Sequence, residues 1–169
     1  MSPIARVLGL ALPACGAAGA GGVALPPADL ATLRRSGKPN SALAAPAGFR
    51  PAAGRDAEIT TRRYPVPAAT LLAALRRVAA GRARCYDLPN PGAPPGRADW
   101  VARSAVCNWP DIISAQATDD PAAGTAPAST LILHSHSVYG YSDFGVNAAR
   151  VRAWLAALDD ALASDPAGH

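Results

Sequence analysis

Residues 130–162 carry the strongest fold signal, and they read TLILHSHSVYGYSDFGVNAARVRAWLAALDDAL. The run Thr130–Tyr139 is rich in the residues that favour a strand, and Gly140–Gly145 supplies a tight connection. The residues that follow predict a helix, because large apolar side chains recur there at helical spacing and form one stripe: Val151, Trp154, Leu155, Leu158 and Leu162. Asn147 precedes this stripe and is predicted to be the N-cap of the helix.

Upstream of this stretch, shorter segments complete a pattern of mixed elements. A strand is predicted at Ile59–Val66, and a helix then begins at Pro67 and ends at Gly81. Further strands are predicted over three segments: Arg84–Leu88, Trp100–Asn108 and Ile112–Thr118. The resulting order, β-α-β-β-β-β-α, predicts an α+β fold. We expect a two-layer sandwich in which a mostly antiparallel sheet carries both helices on one face.

Composition limits what the rest of the chain can be. The chain has 169 residues, enough for one domain, and 41 of its hydrophobic residues are alanine. This composition excludes a polytopic membrane protein, a collagen-like chain, a coiled coil and a disulfide-stapled miniprotein. Residues 21–57 are rich in Pro, Ala and Gly, which predicts a linker or a surface-wrapping arm. A single α+β domain is then predicted at 58–163, with a tail at 164–169.

The first twenty residues have the pattern of an export signal. Arg6 supplies positive charge, an apolar run follows, and Ala18–Ala20 fits a signal peptidase site. Leu12–Cys15 also resembles the lipobox of bacterial lipoproteins, in which Cys15 would become the acylated first residue. Residues 1–20 therefore predict export by simple secretion or as a lipoprotein, the alternative being an unprocessed, Ala-rich tail. We expect a periplasmic or membrane-anchored protein of the cell envelope.

Charge is unevenly distributed along the chain, with a balance of +8 over residues 1–99 and −4 over residues 100–169. The basic part could lie against anionic lipid headgroups, but solvated charges on separate elements explain the arginine pairs more simply. No aromatic residues interleave with these arginines, so nucleic-acid binding is not predicted. Membrane contact is expected only through an N-terminal anchor.

The turn and the strands before it resemble a known family. Residues 137–147, followed by Arg150 and Val151, resemble the C-terminal motif of the domain-of-unknown-function family 1499, whose usual form is G-Y-S-D-L-G-V-N before a helix. Arg103-Ser104 and Trp109-Pro110-Asp111 are similar to that family's R-S, aromatic, P-D motif. The resemblance spans residues 58–162. It implies bacterial and plant-plastid proteins, often exported or membrane-tethered, with no established activity.

This chain departs from the family pattern at three positions. Val138 stands where the family commonly has an arginine, and Ile112 and Ile113 stand where it usually has acidic residues. Any family site that depends on those charges is therefore not expected here.

Five polar residues form the candidate ligand-binding set: Arg103, Asp111, Ser142, Asp143 and Asn147. Arg103 and Asp111 lie on adjacent predicted strands, where they would approach each other or the 142–147 turn and form an ion pair. The three residues of that turn either stabilise it and cap the helix, or bind a ligand at the helix N-terminus.

No metal site, cofactor or catalytic set is predicted. His134 and His136 project from one face of a strand, but a metal site needs a third ligand and the remaining histidine is His169. Cys85 and Cys107 are not expected to pair, because a hairpin between them would place Cys85 opposite residue 102 or 103. A G-x-S-x-G motif and a phosphate-binding loop are both absent from the sequence.

We therefore predict a non-catalytic envelope domain that binds an apolar or amphipathic molecule, such as a lipid, between sheet and helices. The five polar residues would form its gate. The alternative is an interaction module that docks an envelope protein through the sheet face carrying His134 and His136, and a hydrolase-like enzyme is a second alternative. A deep apolar cavity would favour the first hypothesis, and a flat exposed apolar patch would favour the second.

Overall fold

A six-stranded sheet forms the centre of the computed structural model, which describes residues 2–164. Its strands, in chain order, are β1 (Ser41–Pro46), β2 (Ile59–Thr61), β3 (Cys85–Asp87), β4 (Arg97–Arg103), β5 (Pro110–Asp119) and β6 (Ser129–Ser137). Their order across the sheet is β2-β1-β6-β5-β4-β3. All neighbouring strands are antiparallel except β1 and β2, which are parallel.

Two long helices cover one face of the sheet. They are α3 (Ala68–Ala80) and α4 (Val146–Ala163), and two shorter helices precede β1, namely α1 (Pro3–Ala11) and α2 (Pro13–Gly16). Helix α3 is capped by Gly81 at its C-terminus, as predicted, whereas Pro67 is its N-cap residue rather than its first helical residue. The predicted α+β class, with a mostly antiparallel sheet and two helices on one face, is confirmed.

Large apolar side chains fill the space between sheet and helices. Trp100 of β4 meets Trp154 of α4 edge to face, with ring centroids 5.2 Å apart. The sheet contributes small residues to this core, Ala98, Ala115 and Ala117 among them, so the larger side chains of the helices can approach it closely. The predicted ligand position between sheet and helices is therefore occupied by core packing.

The opposite face of the sheet is covered by residues 2–35, which we call the N-terminal arm. It comprises α1, α2 and an irregular segment that ends in a single 3-10 turn at Leu30–Thr32. Leu30 and Leu33 are buried against Leu43 and Ala45 of β1. The sheet face that was predicted as a docking surface for an envelope protein is thus covered by this chain's own N-terminal arm.

Strand β1 lies before residue 58, where the sequence predicted the domain to begin. It lies within residues 21–57, yet it is an inner strand with β2 on one side and β6 on the other. The linker interpretation is therefore wrong for residues 41–46. The sequence SALAAP gave no strand pattern, because a strand buried on both faces does not alternate and alanine is a weak strand former.

Other element boundaries also differ from the prediction. Strand β4 begins at Arg97 and ends at Arg103, so Ser104 and Val106 lie in the turn that follows. Cys15, Cys85 and Cys107 are free thiols. No helix within the described residues 2–164 is long and apolar enough to cross a membrane. Residues 165–169 of the predicted tail, including His169, lie outside the described residues.

Candidate binding cavity

The turn before α4 contains two of the predicted site residues, Ser142 and Asp143. The Asp143 carboxylate accepts hydrogen bonds from the backbone N–H groups of Gly145 (3.0 Å) and Asn147 (2.8 Å), and the Ser142 hydroxyl accepts one from Phe144 N–H (3.2 Å). Burial opposes ionisation of Asp143, but these backbone hydrogen bonds outweigh it and lower its pKa. Asp143 therefore satisfies the helix N-terminus, the role that the sequence analysis gave to Asn147. The N-cap position itself is Gly145, whose φ of 85° suits glycine.

Asn147 is buried and joins α4 to the sheet. Its Nδ2 donates to the backbone oxygen of Asn40 (3.1 Å) and to Oγ of Ser137 (3.0 Å). Its Oδ1 accepts hydrogen bonds from Ser135 and Arg150. Arg150 also forms an ion pair with Asp111 at 2.7 Å. These contacts use the polar atoms of Asn147 to fix helix to sheet, which is a structural role.

Arg103 and Asp111 point to opposite faces of the sheet, so the predicted ion pair between them is wrong. Asp111 lies directly across from Ala102, and both residues face the helices. Arg103 is the next residue along its strand, and successive side chains on a strand alternate between faces. Its guanidinium therefore lies beneath the N-terminal arm.

Arg103 and Asn108 hold the N-terminal arm by its backbone, and we call this pair the arm clamp. Arg103 donates hydrogen bonds to the carbonyl oxygens of Ala14, Gly19 and Gly21. Asn108 donates to the carbonyl oxygens of Cys15 (2.7 Å) and Ala17 (2.9 Å). Both side chains are buried. These hydrogen bonds satisfy carbonyl oxygens of the N-terminal arm that pair with no strand. They explain why the donor side chains of Arg103 and Asn108 are buried on this face of the sheet.

Cys15, the predicted lipidation residue, lies at this clamp. Its side chain is buried, and burial raises the pKa of the thiol even though Arg103 lies near it. In this conformation the thiol is enclosed between the N-terminal arm and the sheet.

A cavity of about 400 Å³ lies between the N-terminal arm and the sheet, and we call it the arm cavity. Apolar side chains line part of this cavity, and we call them the apolar wall: Leu25, Leu30, Leu33, Ile112 and Val138. Polar side chains line the rest, and we call them the polar wall; they include Arg35, Asn40, Ser41, His134 and His136. Ile112 lies beside His136 in the sheet, so the two walls meet there. The cavity is within the size range of small-molecule sites and combines the two kinds of surface that an amphipathic molecule presents.

His134 and His136 stack in the polar wall, with ring centroids 4.9 Å apart. Nε2 of His134 and Nδ1 of His136 are buried and have no hydrogen-bond partner among residues 2–164. Burial lowers the pKa of His134 well below its usual value, reinforced by His136, Arg35 and Arg97, and burial also lowers the pKa of His136. Both imidazoles are therefore neutral at pH 7, and each offers one donor and one acceptor.

Among the described residues, three cationic side chains line the arm cavity. Arg34 and Lys38 are exposed at its edge, whereas the Arg35 guanidinium is buried and pairs with Glu58 at 2.8 Å. None of the cavity-lining residues is acidic. Sequence reasoning missed these residues because 34–38 fell in the predicted linker, although their clustered positive charge was visible.

The family comparison covers this part of the chain. The family model described as "Protein of unknown function (DUF1499)" matches residues 33–158. The chain belongs to the DUF1499 family. The matched range of this DUF1499 domain begins in the wall of the arm cavity and includes β1, both histidines and Asn147. No curated protein and no solved structure matches the chain.

The same histidine pair lacks a third metal ligand among the described residues. Within residues 2–164, no three side chains of His, Cys, Asp or Glu are grouped so that they could hold a metal ion. The lining of the arm cavity offers hydrogen-bonding groups and positive charge.

The buried histidine predicts a loss of stability in mild acid. Because the pKa of His134 in the folded domain lies below its unfolded value near 6.5, the unfolded chain binds more protons between these two pKa values. The contribution of His134 to the free energy of unfolding is therefore complete above pH 6.5. Below that pH the free energy of unfolding decreases by about 1.4 kcal/mol per pH unit for one imidazole. Urea unfolding between pH 7 and pH 5 measures this slope. A His134→Leu variant is expected to reduce this slope, with His136 supplying what remains, and an unchanged slope in the variant would contradict the assignment.

Proposed function

We propose that this DUF1499 domain is a non-catalytic binder of an amphipathic anion, which it holds in the arm cavity. The observation that carries the proposal is that two histidines with buried, unpartnered ring nitrogens line the same cavity as several apolar side chains. A buried polar atom without a partner is costly, and a ligand that supplies a partner recovers that cost.

The charge of the arm cavity favours a carboxylate or phosphate headgroup. Arg34 and Lys38 stand at its edge, while Arg35 and Arg55 share the single carboxylate of Glu58. This arrangement leaves net positive charge beside the imidazoles, which can donate to an anionic oxygen. The leucine-rich wall would take an alkyl chain, whose transfer from water contributes about 0.8 kcal/mol per methylene group.

The N-terminal sequence supports an envelope location for this function. Residues 1–20 have the charge, apolar run and small residues of an export signal, and Leu12–Cys15 has the pattern of a lipobox. An exported or membrane-tethered domain would meet lipids and their degradation products.

The proposal is tested by titrating the full chain with dodecanoate and with dodecanol, using calorimetry. Both probes carry the same alkyl chain, so the difference between their affinities measures the contribution of the headgroup. We expect dodecanoate to bind at least about tenfold more tightly, since a hydrogen bond to a charged group contributes about 1.5–3 kcal/mol. Native mass spectrometry should show one added dodecanoate that leaves on denaturation.

Two variants locate the binding site. His134→Leu removes a cavity donor and is expected to reduce the preference for dodecanoate over dodecanol. Arg76→Gln changes a residue of α3, which packs on the opposite face of the sheet, and should leave the preference unchanged. Equal affinity of the wild-type chain for both probes, or failure to bind either, would show the proposal to be wrong.

A further inference from the structure

A second surface, separate from the arm cavity, is formed where β4 and β6 end. These strands are both antiparallel to β5 and therefore parallel to each other, so the turns that follow them lie at the same end of the sheet. The two turns expose large apolar side chains to solvent, and we call this surface the apolar end: Val106, Tyr141, Phe144 and Val146. Tyr141 is 71% exposed and Phe144 is 96% exposed.

Two contacts fix the turns that form the apolar end. The rings of Trp109 and Tyr139 meet edge to face across the two turns, with centroids 6.5 Å apart. Asn40 donates a hydrogen bond to the backbone oxygen of Gly140 (3.0 Å), which ties the segment before β1 to the same turn. The exposed side chains therefore project from an ordered surface.

Phe144 is the most unusual residue of this surface. Its φ of 53° lies in the left-handed region, which bulky residues rarely adopt, and its side chain makes almost no packing contact that could offset the strain. Glycine would adopt this backbone conformation more easily. An exposed aromatic ring at a strained position that suits glycine points to a role outside the fold.

Positive charge lies beside the apolar end. Lys38 is exposed and lies two residues before Asn40, whose side chain contacts Gly140. The nearest acidic group on the turn is Asp143, whose carboxylate is engaged by two backbone N–H groups. The arm clamp also lies here, since Arg103 is the last residue of β4.

We infer that the apolar end is a membrane-contact surface that seats the domain on an anionic bilayer. Phe144 and Tyr141 enter the boundary between headgroups and acyl chains, where an aromatic ring with a polar tip is well accommodated. Lys38 lies against lipid phosphates. A single projecting aromatic ring beside an exposed cation fits a charged lipid surface, which takes up an isolated apolar side chain and pairs the cation with phosphate. This contact is additional to any N-terminal anchor, and the aromatic side chains that carry it, Tyr141 and Phe144, do not line the arm cavity.

The test measures sedimentation of the full chain with vesicles of phosphatidylglycerol and phosphatidylcholine in equal parts, and with vesicles of phosphatidylcholine alone. Phe144→Gly is expected to weaken binding to the anionic vesicles about tenfold, since one buried aromatic side chain is lost from the lipid. Its melting temperature should be equal to or higher than that of the wild-type chain. The substitution therefore separates membrane contact from folding.

Charge reversal tests the second part of the contact. Lys38→Glu is expected to weaken binding about fivefold or more, because a cation near an anionic surface favours binding. Arg76→Glu makes the same change of charge near the start of β4, at the opposite end of the sheet, and should bind like the wild-type chain. The inference is overturned if Phe144→Gly binds as well as wild type, if Arg76→Glu weakens binding as much as Lys38→Glu, or if the wild-type chain binds neither kind of vesicle.

Discussion

Replacing Arg97 with leucine is expected to lower the free energy of unfolding by about 3–5 kcal/mol, because it leaves the Asp99 carboxylate buried without a counter-ion. The side chains of Arg97 and Asp99 are each 1% exposed. The guanidinium donates two hydrogen bonds to the carboxylate, at 3.1 and 2.7 Å. Ser114 and Asn90 donate to the same carboxylate but supply no charge. Urea denaturation of the wild-type chain and of Arg97→Leu at pH 7 measures the loss of unfolding free energy.

Two further variants make this result interpretable. Replacing Arg97 with methionine and Asp99 with leucine together removes both buried charges, and is expected to recover most of the lost stability. Arg63→Leu is the matched control, since Arg63 pairs with Asp120 at 2.9 Å but is half exposed. Its expected cost is about 0–1 kcal/mol. A single Arg97→Leu variant as stable as Arg63→Leu would show that the buried pair does not act as described.

Replacing Arg103 with methionine is expected to release part of the N-terminal arm, at a cost of about 2–4 kcal/mol for the lost charged hydrogen bonds. The change removes the donors to the carbonyl oxygens of Ala14, Gly19 and Gly21, while the long apolar side chain keeps much of the packing. Hydrogen exchange detects the release directly. Amides of residues 14–21 should exchange faster, and those between β5 and β6 should not.

Arg62→Met is the control for this experiment. Arg62 forms an exposed ion pair with Asp159 of α4, on the other side of the molecule from the N-terminal arm, so it should leave exchange at residues 14–21 unchanged. Arm amides that stay protected in Arg103→Met would mean that apolar contacts such as those of Leu30 and Leu33 hold the arm without the clamp.

The elements with strong periodicity were predictable from the sequence. Helix α3 lies between Pro67 and Gly81, and the apolar stripe of α4 defines its buried face, so both helices follow from local pattern. Strand β1 was missed because its alanines and flanking prolines carry no such pattern. Its place in the sheet depends on pairing with β6, which is a long-range property.

The candidate site was harder to predict than the fold. The stacking of His134 and His136 follows from strand alternation, but the cavity beside them needs residues 24–41, which have no periodicity. The sequence does not show whether Arg103 and Asp111 lie on the same face of the sheet. An irregular turn separates their strands, and local sequence does not determine the register across that turn. The arm clamp binds backbone carbonyl oxygens, which every residue has, so the sequence of the N-terminal arm gives no sign of it.

The inner position of β1 has a consequence for the order of folding. Ser41 lies opposite His136, so the chain makes this strand long before the strand with which it must pair. Contacts between residues so far apart in sequence close a large loop, and such contacts slow folding. Until β1 inserts, β6 is an open edge of a four-stranded sheet, with unpaired backbone groups available to another chain. Docking of β1 is therefore expected to be a late step, and the species that precedes it is the one most prone to aggregate.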